Sequence, residues 1–187
     1  MTLDPTKLTK FCIENYFDSG KSATITPLDA KLYLNAIDIK SIISICNQAD
    51  VYDTLFRTRL QNKAYLPKDA EGFISWANEG WKTGKYFVFI IRDQSNEIIG
   101  AIDIKSNDPD FGEIGYWVDE NSPGYMTNAV IGLIEIAKSA GYKKLGAHVL
   151  LDNTASRRVL ERANFKQTGK ESPFDEKHPR YKYKINL

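Results

Sequence analysis

Apolar positions along the chain follow two spacings, one near 3.6 and one near 2, and their alternation lays out the fold. Leu8, Phe11, Cys12, Asn15 and Tyr16 fall on one helical face behind Asp4-Pro5. There Asp accepts from first-turn N–H groups and Pro at the first helical position loses no bond, so an added helix ending near Gly20 is expected. Residues 31–35 read as a first strand, and Ile39, Ile42, Ile43 and Cys46 as the stripe of the next helix. Val51, Leu55 and Phe56 stand among polar residues, which predicts a loop with a short helix over 50–65. Pro67 opens a further helix that buries Phe73, Trp76 and Ala77 and closes at Gly80 or Gly84.

The middle of the chain is β-prone. Residues 86–91 and 97–104 flank the turn Asp93-Gln-Ser-Asn96 as a hairpin, and the turn Asn107-Asp-Pro-Asp110 leads into Gly112–Val118, the third member of an antiparallel meander. Val130, Leu133, Ile134 and Ala137 predict a helix over 127–140, stopped by Gly141 and followed by a strand over 144–150. Asp152-Asn153-Thr154 caps a last helix with Ala155, Val159, Leu160 and Ala163 on its apolar side, and Asn164 suits the left-handed residue that ends it. Strands over 165–170 and 181–185 close the chain around the polar loop 172–180. The order β-α-α-β-β-β-α-β-α-β-β is an α+β arrangement.

Composition narrows the picture. A chain of 187 residues, 42% hydrophobic, fits one core, so we divide it into a helical extension over 1–22 and a single domain over 23–187. A net charge of +1 from 25 basic and 24 acidic residues supplies no broad basic face, which argues against nucleic acid and anionic membrane as partners. No apolar run has the length of a membrane span, nothing at the start resembles a signal peptide, and Cys12 and Cys46 sit in apolar patterns that predict buried, reduced thiols. The expected location is the cytoplasm. His148 and His178 lack a second ligand at metal spacing, so no metal is expected and both are read as surface or structural residues.

One stretch suggests chemistry. After the strand Gly112–Val118 the chain runs through Asp-Glu-Asn-Ser-Pro-Gly-Tyr-Met-Thr127 into a helix. A loop that ends at a helix start offers unpaired N–H groups to an anion, which points to a phosphate-bearing ligand; the plainer reading is scaffold.

Four separated stretches carry a likeness to a known family. They are Ile98-Ile-Gly-Ala-Ile-Asp103, Glu113-Ile-Gly-Tyr-Trp-Val118, Gly124-Tyr-Met-Thr127, and Asn153-Thr-Ala-Ser-Arg-Arg-Val-Leu-Glu-Arg-Ala-Asn-Phe165. Their order over residues 24–185 resembles the GNAT superfamily of N-acetyltransferases, within it the ribosomal-protein-type group that acetylates protein N-termini and related amines. The resemblance implies a mixed, splayed β-sheet flanked by helices, with acetyl-CoA lodged between the strands ending at Val118 and near Leu150. In that reading the pantetheine arm pairs with the backbone of Trp117 and Val118, and the pyrophosphate rests on Gly124, Tyr125, Met126 and Thr127. The family loop reads Gln or Arg, two residues, Gly, one residue, then Gly or Ala. This chain has Asn121, Ser122, Pro123, Gly124, Tyr125 and Met126, and keeps Gly124. Pro123 has no N–H to give a phosphate oxygen, which predicts weaker cofactor binding.

The same resemblance gives roles to four polar residues. Glu113 is the base that takes the proton of an amine attacking the thioester directly, or else an acid paired with a neighbouring base. Ser156 is the hydroxyl that protonates the leaving thiolate, or else a local cap. Asn153 binds the pantetheine or caps its helix. Among Arg157, Arg158 and Arg162, Arg158 is assigned to the 3′-phosphate, against a merely solvated basic face. The acceptor is a peptide N-terminus or a small amine, and the protein a monomer or homodimer. The alternative from another class is a non-catalytic acyl-CoA-binding or interaction module with a degraded loop.

Overall fold

A computed structural model describes residues 2–171 and 179–187. In it β1 (Phe11–Glu14) and β2 (Ser22–Pro27) precede α1 (Ala36–Cys46), and α2 (Ala49–Val51) runs into a π-helical turn, Tyr52–Phe56. Then come α3 (Pro67–Thr83), β3 (Phe87–Asp93), β4 (Ile98–Ile104), β5 (Gly112–Val118), α4 (Tyr125–Ala140), β6 (Lys144–Leu150), α5 (Thr154–Arg162), β7 (Lys166–Glu171) and β8 (Arg180–Asn186). Among the described residues the strands form one sheet in the order β1-β2-β3-β4-β5-β6-β8-β7, antiparallel except between β5 and β6. This is the expected α+β class with a mixed sheet.

The helices start and stop where local chemistry directs. Asn35 accepts from Ile37 N–H and Asp38 N–H at the head of α1, while Asp38 accepts from Asn35 N–H. Asp38 also meets Arg92 at 2.7 Å, a buried pair that ties α1 to β3. Pro67 begins α3, Gly84 (φ 63°) and Gly141 (φ 102°) end α3 and α4 in the left-handed conformation, and Asn164 does the same after α5 with φ 65°.

The sheet is covered on both faces. Phe87, Phe89, Ile91, Ile102 and Ile104 pack with Val130, Leu133 and Ala137 of α4 and Leu160 of α5. Val88, Ile90, Ala101 and Trp117 face Ile42, Ile45 and Cys46 of α1 and Ala70 and Ala77 of α3. Burial on both sides is why the run Phe87–Ile91 is continuously apolar rather than alternating.

The N-terminal segment departs from expectation. It holds a single 3-10 turn over Pro5–Lys7 and then the edge strand β1, paired with β2 from Phe11↔Ile25 to Glu14↔Ser22. The boundary drawn at residue 22 thus falls inside a hairpin, and the segment is a strand of the sheet rather than a helical extension. Phe11, Ile13 and Asn15 alternate as well as they fit a helix, and the pairing decides for the strand: Ile13 and Asn15 are buried while Cys12 and Glu14 face out. Cys12 is accordingly exposed, and only Cys46 is the buried thiol expected of both. Phe11 docks on α4 at Gly132, where a Cβ would meet the ring at 2.3 Å. Residues 31–35 form an irregular link instead of a strand, with Tyr33 exposed. Trp76, expected in the core, is partly exposed and stacks on Tyr86 with centroids 4.7 Å apart.

Candidate active site

β5 and β6 are paired only at Gly112↔Leu145 and Glu113↔Gly146, and beyond that point they part. On its other edge β5 stays joined to β4 from Ile104↔Ile114 to Gly100↔Val118. The bonds from Lys105 N–H to Glu113 O and from Asp119 N–H to Ile99 O, both 2.8 Å, show that the odd-numbered residues of β5 direct their backbone groups to β4. Tyr116 and Val118 therefore turn N–H and C=O toward the open edge. Of the two residues expected to offer backbone to the cofactor arm, Val118 faces the open edge, whereas the backbone of Trp117, opposite Ala101, is committed to β4. The Trp117 ring is buried and packs edge-on against Phe73, centroids 6.0 Å apart, as part of the wall.

The loop after β5 is built by Asp119. Its carboxylate accepts from Gln48 Nε2 at 2.6 Å and from Asn121 N–H at 3.2 Å, and its carbonyl accepts from Ser122 N–H. Burial pushes the Asp119 carboxyl up, yet these donors together hold it below the usual range. The far side of the loop is pinned by the N-terminal segment: Asn15 Nδ2 donates to Pro123 O at 2.8 Å and Tyr16 N–H to Gly124 O at 3.0 Å. Gly124 heads α4 with φ 92°, with no side chain capping the helix and no acid in its first turn. Tyr125, Met126 and Thr127 are buried, so only their backbone N–H groups can serve a ligand. An uncapped start of a sixteen-residue helix fits a pyrophosphate. The grip is narrower than in the family loop, because Ser122 spends its N–H on Asp119 and Pro123 has none.

At the base of the fork a polar cluster lies on one sheet face. Glu113 is placed there by the two-residue period of β5, in line with Gly115 and Trp117, and His148 by that of β6, opposite to Ala147 and Val149 in the core. Glu113 Oε2 is 3.2 Å from His148 Nδ1, and Oε1 is 3.3 Å from Lys105 Nζ. His148 Nε2 is 3.3 Å from Glu171 Oε2, and Glu171 also accepts from Lys182. The Lys182 ammonium holds the Glu171 carboxyl below the usual range. Asp103, opposite Gly115 on β4, has an Oδ1 shielded from solvent and without a hydrogen-bond partner among the described residues. Burial pushes its carboxyl up to about 7; Lys105 pulls it down and the Glu113 charge raises it further. Gly115 leaves the room this cluster needs, since a Cβ there would lie 2.9 Å from Lys105 Cε and 3.2 Å from Asp103 Oδ1.

α5 closes the other side. Asn153 Oδ1 accepts from Ser156 N–H at 2.9 Å, so its oxygen caps the helix. Tyr116 reaches from β5 and its hydroxyl donates to Ser156 O at 3.1 Å, fixing the first turn of α5 against the fork. Arg157 lies over Tyr181 at 4.7 Å and Arg162 over Tyr16 and Phe17 at 5.2 and 5.1 Å, whereas Arg158 is exposed. Sequence reasoning missed His148 as a partner of Glu113, and gave no role to Tyr116 and Asp103, which it met only inside the family motifs. The parallel pairing of β5 with β6 was the missing signal, since it places Glu113 and His148 on one face. His178 lies outside the described residues. Among the described residues no group of three or more His, Cys, Asp or Glu could hold a metal ion, and no helix is long and apolar enough to cross a membrane.

Comparison with known proteins places this arrangement in a family. The family model described as an acetyltransferase (GNAT) domain matches residues 31–166. A comparison with curated protein sequences finds no match. Similar solved structures include the microcin C7 self-immunity acetyltransferase MccE in complex with acetyl-CoA and AMP, 21% identical with a TM-score of 0.70 over 87% of this chain and 92% of that one. RimJ of Mycobacterium smegmatis in complex with CoA-disulfide is 17% identical, TM-score 0.72, covering 95% and 87%. The ribosomal L7/L12 α-N-protein acetyltransferase RimL, in its apo form, is 18% identical, TM-score 0.71, covering 88% and 90%. At these identities the structural likeness speaks for the fold, and the family model, matching more than half of the sequence, speaks for the lineage: the chain belongs to the GNAT family of acetyltransferases.

Proposed function

We propose that the protein transfers the acetyl group of acetyl-CoA to a primary amine, a peptide N-terminus or a small amine, by direct attack of the amine at the fork between β5 and β6. The observation that carries this reading is Glu113, a carboxylate at the last paired position of the fork, held by Lys105 and His148 yet with 24% of its side chain open to solvent. Acetyl-CoA supplies an activated acetyl thioester. The open edge of β5 at Val118 suits the extended arm, and the N–H groups from Gly124 into α4 suit the phosphates.

An α-amine with a pKa near 8 is roughly a tenth neutral at pH 7, so a carboxylate with good positioning is base enough. Glu113 takes the amine proton in this account, and Ser156, held in place by Asn153 and Tyr116, offers its hydroxyl to the departing sulfur. Support for a peptide acceptor comes from the RimL neighbour, whose description names a ribosomal protein as its target. The test is an acetyl-transfer screen over N-terminal peptides and small amines, in which the expected result is one amine class modified with saturable acetyl-CoA dependence.

One observation favours a second reading, a protein that binds acyl-CoA without transferring it. Ser122 and Pro123 contribute no N–H to the loop, and the first of these is spent on Asp119. Binding of acetyl-CoA in calorimetry without acetylation of any amine in the screen would select that reading over transfer.

A further inference from the structure

We propose that His148 and Glu171 form a relay that carries the proton taken up by Glu113 out to solvent. The proposal rests on the reading of Glu113 as the proton acceptor and adds how that base is regenerated. The residues lie in series across three strands. Glu113 on β5 is 3.2 Å from His148 Nδ1, and His148 Nε2 on β6 is 3.3 Å from Glu171 on β7. Side-chain exposure runs from 24% at Glu113 through 10% at His148 to 42% at Glu171, so the imidazole is the enclosed link between a carboxylate in the cleft and one at the surface.

The chemistry of the ring gives the arrangement its meaning. A neutral imidazole has one N–H and one bare nitrogen. Set between two ionised carboxylates it would turn a lone pair toward one of them. The ring at rest in the relay carries one proton, on Nε2, and its bare Nδ1 is the acceptor for a second arriving through Glu113. With the ring protonated at Nε2 and a proton arriving on Glu113, the Glu113 O–H bond breaks as Nδ1–H forms, and the Nε2–H bond breaks as a Glu171 O–H forms. No electrons change hands, Glu113 is again a carboxylate, and Glu171 delivers the proton to water. The ring then returns to its starting tautomer by rotation or exchange with solvent.

The charge at the far end makes the transfer onto Glu171 uphill and its release to water fast. Lys182, in register with His148 on β8, pairs with Glu171 and keeps it a weak holder of protons. Lys105 faces Glu113 from the end of β4, Asp103 lies beside it, and Arg180 lies on β8 opposite both Leu150 and Glu171. A purely structural strut between β5 and β7 would need neither both ring nitrogens engaged nor a carboxylate at each end.

The experiment uses the full chain, acetyl-CoA and the fastest acceptor from the amine screen, with wild type, Glu113→Gln, His148→Asn and Glu171→Gln compared at low and high buffer concentration. The relay predicts that His148→Asn lowers kcat about tenfold or more with the KM for acetyl-CoA unchanged, on the scale of acid–base contributions. It further predicts that added imidazole restores much of that loss, that the solvent deuterium isotope effect on kcat rises, and that Glu171→Gln behaves alike but more weakly. Full activity of His148→Asn without buffer dependence overturns the relay while leaving Glu113 as base. So does a loss that imidazole does not rescue in a variant whose circular dichroism and acetyl-CoA affinity match wild type. Full activity of Glu113→Gln, or no acetylation of any amine, overturns the underlying reading and the relay with it. The chain has 2 histidines, so imidazole nitrogen NMR with His178→Gln as control reads the protonation of His148 independently of any acceptor. Coupling of its titration to both Glu113→Gln and Glu171→Gln is the expected result, and indifference to either overturns the relay.

Discussion

Tyr116 on β5 donates its hydroxyl to the backbone carbonyl of Ser156 in the first turn of α5, 3.1 Å away. The two residues stand forty positions apart, and the bond spans the fork whose strands have already separated. It sets where the Ser156 hydroxyl sits relative to β5, and burial pushes the Tyr116 phenol up, so it stays a donor at any working pH.

Tyr116→Phe removes that donor and leaves a carbonyl of α5 without its partner. We expect a stability loss of about 1–2 kcal/mol in urea unfolding. We also expect a fall in kcat larger than the change in KM for acetyl-CoA, because the open backbone edge of β5 is untouched. An unchanged kcat would separate Tyr116 from the positioning of Ser156.

The loop before α4 makes two opposite predictions. Gly124→Ala places a Cβ at φ 92° and 2.3 Å from Asn15 Oδ1, so either the loop or Asn15 must move. Strain of about 1–3 kcal/mol is expected, and if the loop relaxes to relieve it acetyl-CoA affinity falls about tenfold. Pro123→Ala keeps the carbonyl that Asn15 holds and restores an N–H. Its affinity should rise by a factor of about two to ten, the worth of one hydrogen bond. Calorimetric titration of both variants checks the pair; equal affinities would remove the phosphates from this loop.

Asp103 gives a pH dependence with a definite sign. Its carboxyl is raised from 3.8 to about 7 in the folded chain, so the folded state binds the proton more tightly than the unfolded state. That contribution to stability is complete below about pH 4 and is lost as the pH rises through about 7. Asp103→Asn should therefore be more stable than wild type at about pH 8 by roughly 2 kcal/mol, a figure reduced from the full shift because the residue is partly exposed, and should show little advantage near pH 4. Denaturant midpoints at the two pH values check it.

The meander, α4 and α5 were legible in the sequence because their signals are local: turn residues at 93–96, left-handed glycines after α3 and α4, Asn153 as a cap, Asn164 as a stop. What stayed hidden depended on partners far away in the chain. Leu8 to Tyr16 fits a helix and a strand equally, and the partner strand Ser22–Pro27 decides. Residues 31–35 have the composition of a strand but pair with no strand among the described residues. In the site, Glu113 and Ser156 were named from family motifs and lie on the two sides of the fork. His148, by contrast, meets Glu113 only because α4 crosses over and brings β6 alongside β5. Trp117 was expected to offer its backbone to the cofactor arm together with Val118, but its backbone groups are taken up by the β4 ladder, a pairing set by Ala101 on another strand.

The most direct test of Glu113 as the base at the fork is the pH–rate profile of Glu113→Gln against wild type, with acetyl-CoA affinity measured in parallel. The account predicts a fall in kcat of about 10²–10⁴-fold, an optimum displaced to higher pH where more of the amine is already neutral, and an unchanged Kd for acetyl-CoA. Turnover equal to wild type across the profile would contradict it.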